Sequence, residues 1–336
     1  MRDCRYACLC VLALTVAGAL PTRLIATESL GARLQGYPYP SPLHVFPLVS
    51  QGQSLQMAYL DLLPATPNGR TAVLLHGKNF CAPYWLASAE RLREQGYRVV
   101  IPEQIGFCKS SKPRDYAYSI AQLAANTHAL LQSLHVDKAV LIAHSMGGMI
   151  GTRYALMFPT STTKLVLVNP LGLEDWKAKG VPWRSVDQWY QAELKTTAAS
   201  IKAYQLTSYY DGQWKPAYQR WVDLQAGMYH GEGRTTVAWA GALTYDMIYN
   251  QPVVYEFALI RVPTVLIIGQ RDRTAIGKDV TPPAIAATLG NYPALGRAAA
   301  ATIPGARMIA LEGLGHAPML EAPQRFYQAL DEALSP

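Results

Sequence analysis

The chain has 336 residues, 50% hydrophobic and only 16% charged, so it can bury a sizeable core and is no disordered segment. Lys and Arg number 30 against 23 Asp and Glu, a formal net charge of +7. The longest basic cluster is the short Lys109-Ser110-Ser111-Lys112-Pro113-Arg114, and without a basic helix or stripe the charge argues against a nucleic-acid partner.

Residues 1–19 read as a secretory signal peptide. Arg2 and Arg5 open it, an apolar run of 14 residues follows from Ala7 to Leu20, and Ala17-Gly18-Ala19 offers small residues for cleavage. The expected destination is periplasmic or secreted, with no stable membrane insertion after the leader is removed; an uncleaved anchor is the rival reading. Cys4, Cys8 and Cys10 leave with the leader, and Cys81 and Cys108 remain. Residues 20–42 form an irregular arm rich in Pro, Gly and Tyr.

Residues 43–169 read as the first part of a core domain. Two extended stretches around Ser50-Gln51-Gly52-Gln53 predict a hairpin. Short apolar strands then alternate with helices: Thr71–Leu75, Arg98–Ile101, Ala139–Ala143 and Lys164–Val168 as strands, and Ala82–Gln95, Ile120–Leu134 and Met146–Met157 as helices. Wholly apolar strands in this rhythm mean a parallel sheet covered on both faces, an α/β fold. The rhythm stops at Asn169-Pro170. Residues 170–258 hold six of the seven tryptophans and lack strand patterns, which predicts a helical cap. The core resumes over 259–336, with strands at Thr264–Ile268 and Arg307–Leu311 and a closing helix at Pro323–Leu334.

Four loops carry chemistry. Ala143-His144-Ser145-Met146-Gly147 places a serine where a strand runs into a helix, flanked by the small residues such a strained turn needs. Ser145 is the expected nucleophile; a helix-capping serine is the plainer alternative. His76-Gly77-Lys78-Asn79-Phe80 follows the Thr71–Leu75 strand and would lie on the same rim. The backbone N–H groups of Met146 and Lys78 are the expected oxyanion donors, with Asn79 as the substitute for Lys78. Gly269-Gln270-Arg271-Asp272 puts a carboxylate past a strand end, and Gly315-His316 puts a histidine in a glycine-rich loop after the last strand. Asp272 would orient His316, and His316 would take the proton of Ser145. The position after the preceding strand holds Asn169 where an alternative acid would stand.

The order Ser145, Asp272, His316 is that of the α/β-hydrolases. The sequence resembles that superfamily over about residues 45–335 through these four motifs and Gly106-Phe107-Cys108-Lys109-Ser110. The resemblance implies a mostly parallel central sheet flanked by helices, with a helical cap inserted between strands six and seven. It implies a serine hydrolase acting on a carboxylic ester of a hydrophobic or aromatic substrate. A carbon–carbon bond or amide hydrolase with the same triad, or a non-catalytic ligand-binding protein on this fold, are the alternatives. It also implies no cofactor, and no metal-ligand spacing occurs in the sequence. The expected partner is a small-molecule substrate, met by Asn79 and by the cap residues Trp183, Trp214 and Trp239. In the family's sheet order the strands before Cys81 and Cys108 are neighbours. A disulfide pinning the 76–80 loop is then one expectation, two buried thiols the other.

Overall fold

The structure, a computed structural model, describes residues 29–335; the leader expected over residues 1–19 lies outside the described residues. Eight strands build one sheet: β1 (Leu43–Ser50), β2 (Gln53–Leu62), β3 (Thr71–Leu75), β4 (Arg98–Pro102), β5 (Ala139–His144), β6 (Thr162–Val168), β7 (Thr264–Gly269) and β8 (Arg307–Leu311). Their order is β1-β2-β4-β3-β5-β6-β7-β8. The first two strands form the hairpin, and β2 runs antiparallel to β4. All later pairings are parallel. The hairpin closes through Gln51 and Gly52, both at positive φ, the backbone twist that suits a two-residue turn.

The parallel strands are short because they are buried on both faces and need no polar residues. Leu74, Leu75, Leu141, Ile142, Leu167 and Val168 are all inaccessible. One face is covered by α2 (Ile120–Ser133), α3 (Met146–Met157) and α9 (Tyr292–Thr302), the other by α1 (Leu86–Glu94) and α11 (Pro323–Leu334). A short turn, Ala82–Trp85, precedes α1, so the helix starts later than its apolar spacing predicts; Pro83 at its start suits the tighter coil. Between β6 and β7 lie α4 (Val186–Glu193), α5 (Ala198–Tyr204), α6 (Gln219–Met228) and α7 (Arg234–Asn250). Two minor helices, α8 (Pro283–Ala286) and α10 (Pro318–Glu321), complete the set. Among the described residues no helix is long and apolar enough to cross a membrane.

The chain leaves β3 for β4 on one side and returns to β5 on the other. The loops after β3 and β5 therefore diverge, and a crevice opens at the carboxyl ends of these two adjacent strands, where Leu75 pairs with Ala143.

Candidate active site

Ser145 stands at that crevice. Its φ of 57° and ψ of −124° are strained for a residue with a side chain, and three backbone bonds hold them. Ser145 N–H donates to the Val168 carbonyl at 3.2 Å, while its own carbonyl accepts from Gly148 at 2.8 Å and Leu171 at 2.9 Å. The turn closes because Gly147 has no side chain: a Cβ there would sit 2.5 Å from the Leu75 carbonyl oxygen. The 76–80 loop presses on Ser145 in the same way, with a Cβ on Gly77 falling 2.9 Å from Ser145 Cβ.

Two buried histidines set these loops. His76 Nε2 accepts from Gln104 N–H at 3.0 Å, which leaves Nδ1–H to donate to the Gly77 carbonyl at 2.8 Å. Burial pushes His76 down to about 4, so the ring stays neutral. With the Gly77 carbonyl turned to that ring, the trans peptide directs Lys78 N–H the opposite way. His144 Nε2–H donates to the His316 carbonyl at 2.8 Å, and its Nδ1 accepts from the Tyr84 hydroxyl at 3.1 Å. Burial, then the neighbouring His316, hold His144 well below the ordinary histidine range. Both rings serve as neutral braces.

Asp272 and His316 form the acid–imidazole pair of the site, both fully buried. His316 Nδ1–H donates to Asp272 Oδ2 at 2.7 Å. The same oxygen accepts from Asn169 Nδ2 at 2.8 Å, and Oδ1 accepts from Thr274 N–H at 2.8 Å. His316 Nε2 is buried and hydrogen-bonds no described residue, Ser145 included. The cap residue Tyr209 closes over it. Its ring stacks on the imidazole at 4.5 Å, its carbonyl accepts from His316 N–H at 2.9 Å, and its hydroxyl meets Asn79 Nδ2 at 2.8 Å. Tyr209 ends a one-turn π-helix, Gln205–Tyr209, a geometry that often marks functional positions.

A clasp steadies the loop beneath. Cys81 and Cys108 are disulfide-bonded. Beside them the buried Glu103 carboxylate accepts from Ala82 N–H at 3.0 Å and Lys109 N–H at 2.8 Å, joining the loops after β3 and β4. Tyr39 of the arm donates to the same carboxylate.

Of the residues expected to meet substrate, Asn79 sits in the site, bonded to Tyr209 and to Gln225 of α6. Of the three tryptophans, one is exposed and two pack against other groups. Trp183 is 62% exposed. Trp214 packs edge-on against Tyr210 and Tyr218. Trp239 donates to the Arg114 carbonyl and stacks under its guanidinium. The cap aromatic that stacks on His316 is Tyr209, and the side chain that fixes Asp272 from the end of β6 is Asn169. Composition flagged aromatic richness in the cap but not which ring turns inward, since helix packing decides that.

Comparison with known proteins agrees with this architecture. The family profile described as the alpha/beta hydrolase fold matches residues 72–323. The crystal structure of a probable hydrolytic enzyme from Pseudomonas aeruginosa PAO1 is 55% identical and superposes with a TM-score of 0.92, covering 93% of this chain and 100% of that one. Lipase 1 of Psychrobacter immobilis is 26% identical over 280 residues, 80% of each protein. A protein named as a carbamate hydrolase in Serratia proteamaculans is 36% identical over 112 residues, 33% of this chain. The match spans 42% of that relative's length.

Proposed function

We propose that this chain, which belongs to the α/β-hydrolase family and is an enzyme of it, is an exported serine hydrolase that cleaves a carboxylic ester of a hydrophobic or aromatic substrate. The observation that carries the reading is the strained Ser145 turn at the same crevice as the buried Asp272–His316 pair. The lipase named among the relatives, similar over four-fifths of the chain, supports ester chemistry. The Cys81–Cys108 disulfide supports an oxidising destination.

In this reading Ser145 Oγ attacks the ester carbonyl. His316 Nε2, the ring nitrogen that hydrogen-bonds no described residue, takes the hydroxyl proton as the bond forms. Hydrogen bonds of this kind commonly tighten only when substrate is bound. Asp272 keeps the tautomer that leaves Nε2 free and balances the imidazolium. The oxyanion is received by the N–H of Met146, at the start of α3, and of Lys78. His316 then protonates the departing alcohol, and an acyl-enzyme remains. Water, deprotonated by His316, releases the acid and restores Ser145.

Hydrolysis of aryl esters of graded acyl length tests this. Ser145→Ala is expected to lower kcat by at least about a thousandfold. Full ester turnover by that variant would overturn the reading. Wild-type inactivity on every ester would move the proposal to amide or carbon–carbon substrates.

A further inference from the structure

Two consecutive residues of the cap bond all three loops that meet around His316. The Tyr209 carbonyl accepts from His316 N–H at 2.9 Å, and its hydroxyl accepts from Asn79 Nδ2 of the 76–80 loop at 2.8 Å. The Ser208 carbonyl accepts from the Thr274 hydroxyl at 3.4 Å, and Thr274 N–H in turn donates to Asp272 Oδ1 at 2.8 Å. The fit is close. A Cβ on Gly315 would fall 1.9 Å from the Tyr209 carbonyl oxygen, so the glycine beside the histidine makes room for the cap. Past the turn, Lys215 Nζ donates to the Glu321 carbonyl at 2.8 Å, and Arg271 stands 3.8 Å from Asp211 and 3.4 Å from Glu321. The cap segment is thereby tied to the His316 loop at several points.

The imidazole lies among three rings. Tyr209 stacks on it at 4.5 Å with 26° between the planes, His144 is tilted at 4.8 Å, and Tyr292 meets it edge-on at 6.2 Å. The Nδ1 bond to Asp272 fixes one corner of the imidazole and leaves the ring free to rock about that bond. A face contact fixes the plane as well. Tyrosine suits both tasks because its ring is rigid from Cβ to the hydroxyl, so the same two torsions set the stack on His316 and the bond to Asn79. The Asn79 amide is held from its other side by Gln225 Nε2 at 3.2 Å.

We infer that Tyr209 is a positioning residue for the reaction: its ring holds the imidazole of His316 and its hydroxyl holds the 76–80 loop, so that the cap completes the site as well as covering it. The inference rests on the serine-hydrolase reading above and adds one cap residue to that machinery. A base and a pair of oxyanion donors act together only at a set separation, and a misplacement of about 1 Å costs on the order of a hundredfold in rate. Losing the Tyr209 hydroxyl therefore acts on the chemical step, and substrate affinity changes little.

Two rates test this in the full chain: steady-state turnover of an aryl ester, and labelling by an alkyl fluorophosphonate, in which Ser145 Oγ displaces fluoride from phosphorus, followed by mass spectrometry. Tyr209→Phe keeps the stack and removes the hydroxyl. It is expected to lower kcat and the labelling rate by about three- to tenfold, with KM within about twofold of wild type. Tyr209→Leu, which also removes the stack, should cost up to about tenfold more. In an Asn79→Ala background Tyr209→Phe should have little further effect, because the bond it removes is already gone; a purely structural role would give additive losses. Wild-type rates in Tyr209→Phe, a loss confined to KM, or additive losses with Asn79→Ala would overturn the inference. If Tyr209→Leu or Asn79→Ala fails to fold, Tyr209→Phe alone decides. A wild type that is labelled at Ser145 but turns over no ester overturns the ester reading, and the labelling rates of the variants still decide this inference. A wild type left unlabelled at Ser145 overturns both.

Discussion

Replacing Asn169 by Ala tests whether the Asp272 carboxylate needs its brace. The side chain is fully buried and makes two bonds, Nδ2 to Asp272 Oδ2 at 2.8 Å and Oδ1 from Gly269 N–H at 3.1 Å. A hydrogen bond to an ionised acceptor contributes about 1.5–3 kcal/mol. In the proposed mechanism Asp272 balances an imidazolium that exists only once Ser145 has given up its proton, so this loss belongs to the transition state. It is expected as a fall in kcat of about ten- to a hundredfold, with KM within about twofold of wild type. The stranded Gly269 N–H acts instead on stability, lowering it by about 1–3 kcal/mol. The φ of 40° at this position adds to that, since Asn tolerates the left-handed region better than Ala. Steady-state kinetics on an aryl ester and a urea titration read the two effects separately. A variant with the expected loss of stability and an unchanged kcat would refute the argument that Asn169 positions the acid.

Two more outcomes follow from the same geometry. Gly147→Ala drives a Cβ to 2.5 Å from the Leu75 carbonyl and 2.8 Å from the His76 carbonyl, backbone that carries the 76–80 loop. Stability should fall by about 1–3 kcal/mol and ester turnover by more than about tenfold; a thermal melt and a rate that both match wild type would sink this. Glu321 is buried, with its Oε1 accepting from Gly315 N–H in the His316 loop, and burial pushes it from 4.5 up to about 7. The folded protein then holds a proton that the unfolded chain releases, so this group's contribution is intact below about pH 4.5 and is lost as pH rises to about 7, on the order of 3 kcal/mol in all. Glu321→Gln should gain stability relative to wild type over that window, measured by urea unfolding at pH 5 and pH 8; parallel pH profiles for the two proteins would contradict it.

Much of the core was legible because parallel strands buried on both faces must be short and apolar. Arg307–Leu311 and Pro323–Leu334 appear as elements with the bounds their residues predict, and Thr71–Leu75 likewise. The elbow at Ser145 was legible because its close contacts admit only small neighbours, which leaves a local mark in Gly147. The helix Tyr292–Thr302 is absent from the elements expected from the sequence, although its run of alanines has helical propensity.

Residue order alone determined the α/β-hydrolase fold and which serine, aspartate and histidine stand at strand ends, because strand ends and tight turns constrain residue type locally. Tertiary structure alone decided what surrounds them. That Tyr209 rather than a tryptophan stacks on His316 and that Glu193 pairs with Lys78 at 3.8 Å depend on how the cap packs on the sheet, and that Asn169 grips Asp272 across 103 positions depends on the pairing of β6 with β7. Such contacts join residues distant in the chain, and a helix turned by a few degrees would exchange one aromatic for another without changing any local pattern.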